Sequence, residues 1–258
     1  MIPKVIHYCW FGRTPKPKLS LRCIRSWKKY CPDYQIVEWN EDNFDLSTVP
    51  LFVKQAFEAK KWAFVSDYVR LQVIYENGGF YFDTDVELIK NIDDLCQYSS
   101  FFAAEGHHYI ATGLGFGAAS GNEIVYAMMQ AYQNISFTAD SNGKYDGIIC
   151  PKLQTDAIKT KISSIETFEN IIIWNNNIFL PRDYFCPLDF TTKSLMYKTK
   201  NTYAIHWYSA SWFDQVQKRK EKMDYWLYAG HRFIINTFGI EFFQKIKNFI
   251  LKIFTKRK

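Results

Sequence analysis

The sequence lacks closely spaced cysteine pairs, low-complexity segments and a run of apolar residues before its first predicted strand. Without a Cys-x-x-Cys pair, zinc-finger and dithiol redox sites are not expected. Without an apolar leader, a secreted chain with disulfide bonds is not expected either. We therefore predict free thiols in a reducing, cytoplasmic compartment for the six cysteines, which are Cys9, Cys23, Cys31, Cys96, Cys150 and Cys186.

The chain has little excess charge outside its last residues. Of the net charge of +6, residues 241–258 carry +5 and residues 1–240 carry +1. Because the basic residues do not extend over the main body, nucleic acid is not an expected partner. The sequence predicts one domain, of the size of an ordinary enzyme domain, over residues 1–240 and a separate tail over residues 241–258.

The tail has a helical pattern of apolar residues with lysines between them. It lacks the roughly 20 successive apolar residues that a membrane span needs. A basic amphipathic helix favours the surface of an anionic membrane, and the alternative is a terminal helix that packs on the domain. The apolar stripe consists of Phe242, Phe243, Ile246, Phe249, Ile250, Ile253 and Phe254.

The rest of the chain is typical of an α/β domain. At 258 residues and 48% apolar content it can bury one sizeable core. Apolar periodicity predicts helices over residues 19–30, 53–62, 64–76 and 122–133. It predicts strands over residues 4–10, 34–39, 79–82, 101–105 and 113–118, and a loop over residues 138–147.

Two aspartates follow a glycine pair in the segment SDYVRLQVIYENGGFYFDTDVE. If the predicted strand continues through Asp83 and Asp85, both side chains lie on one face of it. Two carboxylates on one face repel each other, and a hard divalent cation relieves that repulsion while keeping positions open for phosphate oxygens. The pattern therefore favours a metal-diphosphate site.

The preceding predicted helix carries Asp67 and Arg70, which are three residues apart and therefore neighbours. One interpretation is a surface ion pair, which contributes ~0 to 1 kcal/mol. The other is a binding pair that contacts the hydroxyl groups of a sugar or ribose. Gly78 and Gly79 favour the second interpretation, because they allow a sharp turn that brings the helix end towards the aspartates.

The segment AKKWAFVSDYVRLQVIYENGGFYFDTDVE resembles the core of the DxD-type sugar transferases of glycosyltransferase family 32. The segments IPKVIHYCWFG, TGLGFGAASGN and IHWYSASW are similar to bacterial capsular polysaccharide members, so the resemblance covers residues 2 to 213. The family also includes Och1-like mannosyltransferases and is similar to the clostridial glucosylating toxins. It implies a GT-A type, Rossmann-like nucleotide-sugar-binding fold with a mixed central sheet and C-terminal helices.

The resemblance implies roles for individual residues near the DxD motif. Trp10 would stack on the nucleotide base, and Asp67 and Arg70 would bind the sugar and ribose of the donor. Tyr81 matches an aromatic residue two positions before the motif. Asp83 would contact the donor, and together with Asp85 and Arg70 it forms the expected catalytic set.

The resemblance also implies a contribution from residues 206–212. Asp85 would ligate the metal directly, with His206 as a second ligand, although family members place an acidic residue where this chain has His206. The alternative for His206 is a hydrogen-bonded core histidine. Ser209, Ser211 and Trp212 would close over the diphosphate.

The implied reaction is a metal-dependent transfer of a hexose or N-acetylhexosamine from a nucleotide sugar. UDP is the expected nucleotide, with GDP open, and Mn²⁺ or Mg²⁺ the expected metal. Relatives retain the anomeric configuration; an inverting enzyme would need a base, for which Glu105 and Asp146 are candidates. Thr112-Gly113 and Gln154-Thr155-Asp156 are expected to line the pocket, and the acceptor is expected to be a lipid-linked saccharide at the inner face of the cell membrane.

Two alternatives remain open from the sequence. The string FDTDV loosely fits the motif of haloacid-dehalogenase-type phosphatases, although that motif normally follows a long strand near the chain start. The 18% aromatic content also suits a noncatalytic carbohydrate-binding protein. The carbohydrate-binding alternative leaves the segment from Asp67 to Asp85 unexplained.

Overall fold

The computed structural model describes residues 1–138, 150–190 and 192–209. Residues Met1–Leu188 and Leu195–Ser209 form one compact unit. Residues Asp189–Ser194 belong to a second unit with Ala210–Lys258, of which only residues 189–190 and 192–194 are described. The predicted boundary at residue 240 and the predicted tail helix lie outside the described residues and stay predictions.

The described residues contain nine strands and five α-helices in mixed order. The strands are β1 (Val5–Cys9), β2 (Gln35–Trp39), β3 (Gly79–Tyr81), β4 (Val86–Leu88), β5 (Ser100–Ala103), β6 (Phe116–Ala118), β7 (Ile172–Trp174), β8 (Asn177–Leu180) and β9 (Ala204–His206). The helices are α1 (Lys18–Tyr30), α2 (Leu51–Glu58), α3 (Trp62–Asn77), α4 (Glu123–Gln130) and α5 (Cys150–Lys161).

Seven strands form a mixed sheet in the order β2-β1-β3-β6-β5-β8-β7. Strand β1 is parallel to both β2 and β3, and β5 is parallel to β8. The pairs β3–β6, β5–β6 and β7–β8 are antiparallel. Because β1 and β3 run in the same direction, the segments that follow them leave from the same edge of the sheet.

Helices cover both faces of this sheet. Alternate side chains of β3 enter different cores, with Phe80 on the face covered by α1 and Tyr81 on the face covered by α2 to α5. A strand that is covered on both faces has no solvent-facing side, which explains why β3 is apolar at every position. The core on the α1 side includes Trp27, which is completely buried.

The glycine pair ends α3 and starts β3. Gly78 has φ +70° and Gly79 has φ +106°, a region that residues with a Cβ rarely adopt. A Cβ on Gly79 would lie 2.7 Å from the carbonyl oxygen of Val5, so the close approach of β1 also requires glycine. The predicted sharp turn from helix to strand is confirmed.

The α/β fold class with a mixed central sheet is confirmed. Helices α1, α3 and α4 and strands β1, β2, β3, β5 and β6 match predicted elements within a few residues. Helix α2 was predicted over residues 53–62 and spans Leu51–Glu58. The sequence analysis missed β4, β7, β8, β9 and α5, which lie in short or polar segments. In the described residues, no helix combines the length and apolar character needed to cross a membrane.

Candidate functional site

The DxD motif lies in a turn after β3 and not on a strand. Strand β3 ends at Tyr81, and the backbone N–H of Val86 donates to the carbonyl oxygen of Asp83 at 3.0 Å. The prediction that strand alternation orients the two carboxylates is therefore wrong. The Val86–Asp83 bond closes the turn, and the N–H of Asp83 donates to the carbonyl oxygen of Gly113 at 3.1 Å, beyond the end of the β3–β6 ladder.

Arg70 is the centre of a buried polar cluster under this turn. Its Nη2 donates to Asp67 Oδ1 at 2.5 Å and to the Sγ of Cys150 at 3.0 Å. Its Nη1 lies 3.4 Å from Asp83 Oδ1, and the side chain is 5% exposed. The interpretation of Asp67 and Arg70 as a surface ion pair is therefore excluded, since a weak, solvent-screened pair needs exposed partners.

Asp83 is held by this cluster while part of it faces solvent. Tyr81 Oη donates to Asp83 Oδ1 at 3.0 Å, and the Asp83 side chain is 34% exposed. Burial raises the pKa of Asp83, Arg70 opposes that rise, and the nearby charge of Asp85 adds to it. The turn thus leaves a carboxylate accessible at the surface of the cluster.

Gly113 makes room for that carboxylate. A Cβ at this position would lie 2.3 Å from Asp83 Oδ2 and 3.3 Å from Arg70 Nη1. Gly113 was expected to line the pocket by resemblance, and the structure places it against the first aspartate of the motif.

Asp85 is more buried than Asp83 and contacts residues near the end of β9. Its Oδ1 lies 3.2 Å from the Nε2 of His206, and its Oδ2 accepts from the backbone N–H of Ser209 at 2.8 Å. Burial opposes ionisation of Asp85, but His206 and the Ser209 N–H outweigh it, so the pKa of Asp85 lies well below its usual value. Burial lowers the pKa of His206, and the charge of Asp85 reverses that effect and raises it.

The pairing of β4 with β9 creates this contact. Val86 lies opposite His206 in the antiparallel pair, and the N–H of Trp207 donates to the carbonyl oxygen of Asp85 at 3.0 Å. The Nδ1 of His206 is buried and has no hydrogen-bond partner among the described residues. His206 is thus a partner of the motif and not an ordinary core histidine with both nitrogens satisfied.

Trp10 follows β1 at the sheet edge where the DxD turn follows β3. Its side chain is partly buried, and its Nε1 donates to the carbonyl oxygen of Thr14 at 2.7 Å. Cys9, the last residue of β1, is buried next to Tyr81, and burial raises the pKa of its thiol to about 12. Because β1 and β3 are parallel, Trp10 and the motif lie at the same edge of the sheet, where open α/β sheets bind their ligands.

Other predicted pocket residues support the cluster from the α5 side. Gln154 is completely buried; its Oε1 accepts from Thr112 at 2.8 Å, and its Nε2 donates to Tyr132 Oη at 3.2 Å. Thr155 Oγ1 accepts from the N–H of Ile110. Asp156, by contrast, is exposed and pairs with Lys152, because it lies on the outer face of α5. Its expected pocket position is wrong.

The sequence analysis did not predict the contacts that Cys150 and Tyr208 make near the DxD motif. Cys150 accepts from Arg70, although the two are 80 positions apart. Tyr208 donates to Glu105 Oε1 at 3.3 Å and packs edge-on against His206 at 4.3 Å between ring centroids. The base candidate Glu105 is therefore near the site. The candidate Asp146 and the predicted binding residues Ser211 and Trp212 lie outside the described residues.

Comparison with known proteins identifies the segment that builds this site. Residues 17–102 match the family model described as a glycosyltransferase sugar-binding region containing the DXD motif. The resemblance to DxD-type sugar transferases is thereby confirmed, and the mixed α/β sheet agrees with the GT-A fold that it implies.

The relatives are distant. Inositol phosphoceramide mannosyltransferase 3 of Schizosaccharomyces pombe is 29% identical over 103 residues, which are 39% of this chain and 29% of that protein. The chain thus matches less than a third of the length of this relative.

Two of the solved structures that are similar to this chain are glycosyltransferases. The PaToxG glycosyltransferase is 19% identical over 63% of this chain and 70% of its own, with a TM-score of 0.47. A glycosyltransferase involved in glycosylation of the major capsid of PBCV-1 is 13% identical over 86% of this chain and all of its own, with a TM-score of 0.44. These similarities are too low to carry residue roles.

Proposed function

We propose that this protein is a metal-dependent, retaining glycosyltransferase that transfers a hexose or N-acetylhexosamine from a UDP-sugar. The observation that carries the proposal is the DxD turn, in which a partly exposed Asp83 rests on Arg70 and Tyr81 while the neighbouring Asp85 faces His206. The match of residues 17–102 to the DXD family supports the reaction class.

The residues around Asp85 suit a divalent cation. Asp85 supplies carboxylate oxygens, and His206 supplies an imidazole nitrogen, a donor set that Mn²⁺ accepts. The described residues contain no cluster of three metal-binding side chains. A cation held by Asp85 and His206 alone would keep positions for diphosphate oxygens. When bound, it would stabilise the charge that develops on the departing nucleoside diphosphate.

The remaining residues then bind and orient the donor. Asp83 contacts the sugar or ribose through its exposed oxygen, and Asp67 and Arg70 hold that carboxylate in place. Arg70 is buried, so it assists donor binding mainly by holding Asp83 and by placing a positive charge in a low-dielectric environment. Trp10 stacks on the base, Tyr81 orients Asp83, and residues 209–212 close over the diphosphate.

The proposed acceptor is a saccharide at a membrane surface. We propose a growing, lipid-linked surface polysaccharide of the capsular type as acceptor, reached from the cytoplasmic face of the membrane with help from the tail over residues 241–258. Loss of flotation with anionic liposomes on deletion after Gly239 is expected, and unchanged flotation would refute the role of the tail. Because the proposed reaction retains configuration, Glu105 is not assigned as a base.

A thermal-shift panel of nucleotide sugars with and without Mn²⁺ tests the donor proposal. A ligand that binds only the folded state at 100 times its Kd stabilises it by about 2.7 kcal/mol, so the correct donor stands out. Asp85→Asn is expected to lose the Mn²⁺-dependent shift and the hydrolysis of the donor. Asp156→Asn, at an exposed ion pair on α5, is the matched control and should keep both.

The outcomes separate the proposal from the alternatives. Shifts that do not depend on Mn²⁺, or an Asp85→Asn variant that is folded and as active as the control, would contradict metal dependence. Release of phosphate from p-nitrophenyl phosphate without donor hydrolysis would support the phosphatase. Binding of saccharides with no hydrolysis or transfer would support a noncatalytic protein.

A further inference from the structure

Helix α1 carries five basic residues and no acidic residue, although the chain from residue 1 to 240 is almost neutral. Its buried residues, Ser20, Cys23, Ser26 and Trp27, lie on one side. The exposed basic residues lie on the other side at intervals of three and four, which is the spacing of one helical face. They are Lys18, Arg22, Arg25, Lys28 and Lys29.

Only one of these charges is neutralised nearby. Arg22 Nη2 lies 3.0 Å from Glu87 Oε2, and its guanidinium lies 4.7 Å from the ring centroid of Trp207. Lys18, Arg25, Lys28 and Lys29 form no ion pair with any residue of the described part of the chain. Among the described residues, four positive charges of α1 thus have no ion-pair partner.

This charge pattern helps the helix at its C-terminal end, where Lys28 and Lys29 lie in the last turn and the helix dipole favours cations. Lys18, however, lies in the first turn, where the dipole disfavours a cation and no acidic residue compensates it. The pairs Lys18–Arg22 and Arg25–Lys29 are four apart, so like charges are neighbours and repel each other. An anionic partner would relieve this repulsion.

We propose that the outer face of α1 binds the anionic headgroup surface of a lipid membrane. A row of exposed lysines and arginines complements such a surface through nonspecific electrostatic attraction. Leu21 lies within the basic face and is 43% exposed, and an apolar side chain among cations suits the boundary between headgroups and acyl chains.

The inner face of α1 connects this surface to the DxD turn. Trp27 Nε1 donates to the carbonyl oxygen of Val86 at 2.8 Å, and Ser26 Oγ accepts from the N–H of Leu88 at 2.9 Å. Both acceptor and donor belong to β4, which starts directly after Asp85. A membrane bound by α1 thus lies about 10 Å, one helix diameter, from β4. This contact is separate from the proposed tail helix and does not depend on the catalytic proposal.

Cosedimentation of the full chain with vesicles tests the inference. We compare vesicles of phosphatidylcholine with vesicles that also contain phosphatidylglycerol. The α1 variant carries Lys18→Gln, Arg25→Gln, Lys28→Gln and Lys29→Gln. The matched control removes four exposed charges elsewhere in the described chain, through Lys54→Gln, Lys161→Gln, Lys198→Gln and Lys200→Gln. Both variants keep the tail and the Arg22–Glu87 pair.

Each basic residue at an anionic membrane strengthens binding about fivefold, so removal of four should weaken it at least tenfold even if they contribute unequally. We expect the α1 variant, but not the control, to lose binding, and only to vesicles that contain phosphatidylglycerol. The difference between the two variants should be smaller at high salt, because salt screens exposed charges. Equal binding by the two variants would overturn the inference. The inference would also be overturned if the α1 variant lost binding to a DNA duplex while its binding to vesicles stayed unchanged.

Discussion

Gly113→Ala should disable the site while leaving the fold largely intact. The new Cβ would lie 2.3 Å from Asp83 Oδ2, where an ordinary carbon–oxygen contact begins above 3 Å. The Asp83 carboxylate must therefore move by about 1 Å, since the distance from a carbon to its neighbours is normally about 3.5 Å. Gly113 does not have a positive φ, so the effect comes from this contact and not from backbone strain.

The magnitude follows from what holds Asp83. Movement of the carboxylate weakens the hydrogen bond from Tyr81 and the contact with Arg70, and bonds to charged groups contribute about 1.5 to 3 kcal/mol each. Overpacking of this kind destabilises proteins by about 1 to 3 kcal/mol. A misplacement of about 1 Å in a catalytic constellation lowers the rate about 100-fold. We therefore expect a large loss of donor hydrolysis with a modest loss of stability.

Gly106→Ala is the matched control. A Cβ on Gly106 has no neighbour within 4 Å, and Gly106 also lacks a positive φ. The assay is Mn²⁺-dependent release of UDP from UDP-sugars, with chemical denaturation of both variants to measure stability. If Gly113→Ala is folded and its kcat/KM stays within twofold of Gly106→Ala, then Asp83 does not need its present position and the assignment of the site is refuted.

Two further predictions concern stability. His7 is buried between the carbonyl of Gly78 and the Nε1 of Trp39, and burial lowers its pKa from 6.5 to about 4. As the pH falls, the imidazole of His7 is protonated in the unfolded chain at a higher pH than in the folded chain. The contribution of His7 to the free energy of unfolding should therefore be constant above pH 6.5 and decrease by about 3 kcal/mol as the pH falls towards 4. Denaturation curves of the wild type and His7→Gln should differ in this pH dependence, and parallel curves would contradict it. Asn122 accepts from the N–H groups of Ile124 and Val125 at the start of α4, and its Nδ2 donates to Asn177 Oδ1. Asn122→Ala should cost about 0.5 to 2 kcal/mol of unfolding free energy for the lost cap. Asn122→Ser loses the same bond to Asn177 but keeps a capping oxygen, so it should cost less, and equal losses would argue against capping.

Much of the framework was predictable because it depends on local patterns. Apolar residues of α3 recur at helical spacing. Gly78 and Gly79 adopt the positive φ angles with which the chain turns sharply from α3 into β3. Apart from β4, the order of helices and strands in the first 130 residues follows from the same periodicities. Short strands such as β4 and β9, three residues each, carry too little pattern to be recognised alone.

The sequence by itself determined the α/β class, the segment from Asp67 to Asp85 and the acidic motif at its end. Only the tertiary structure decided that the motif is a turn, that Cys150 accepts from Arg70, and that His206 faces Asp85. The physical reason is the distance along the chain. These contacts join residues 80 to 121 positions apart through strand pairing and helix packing, and no local periodicity records which distant segments will meet.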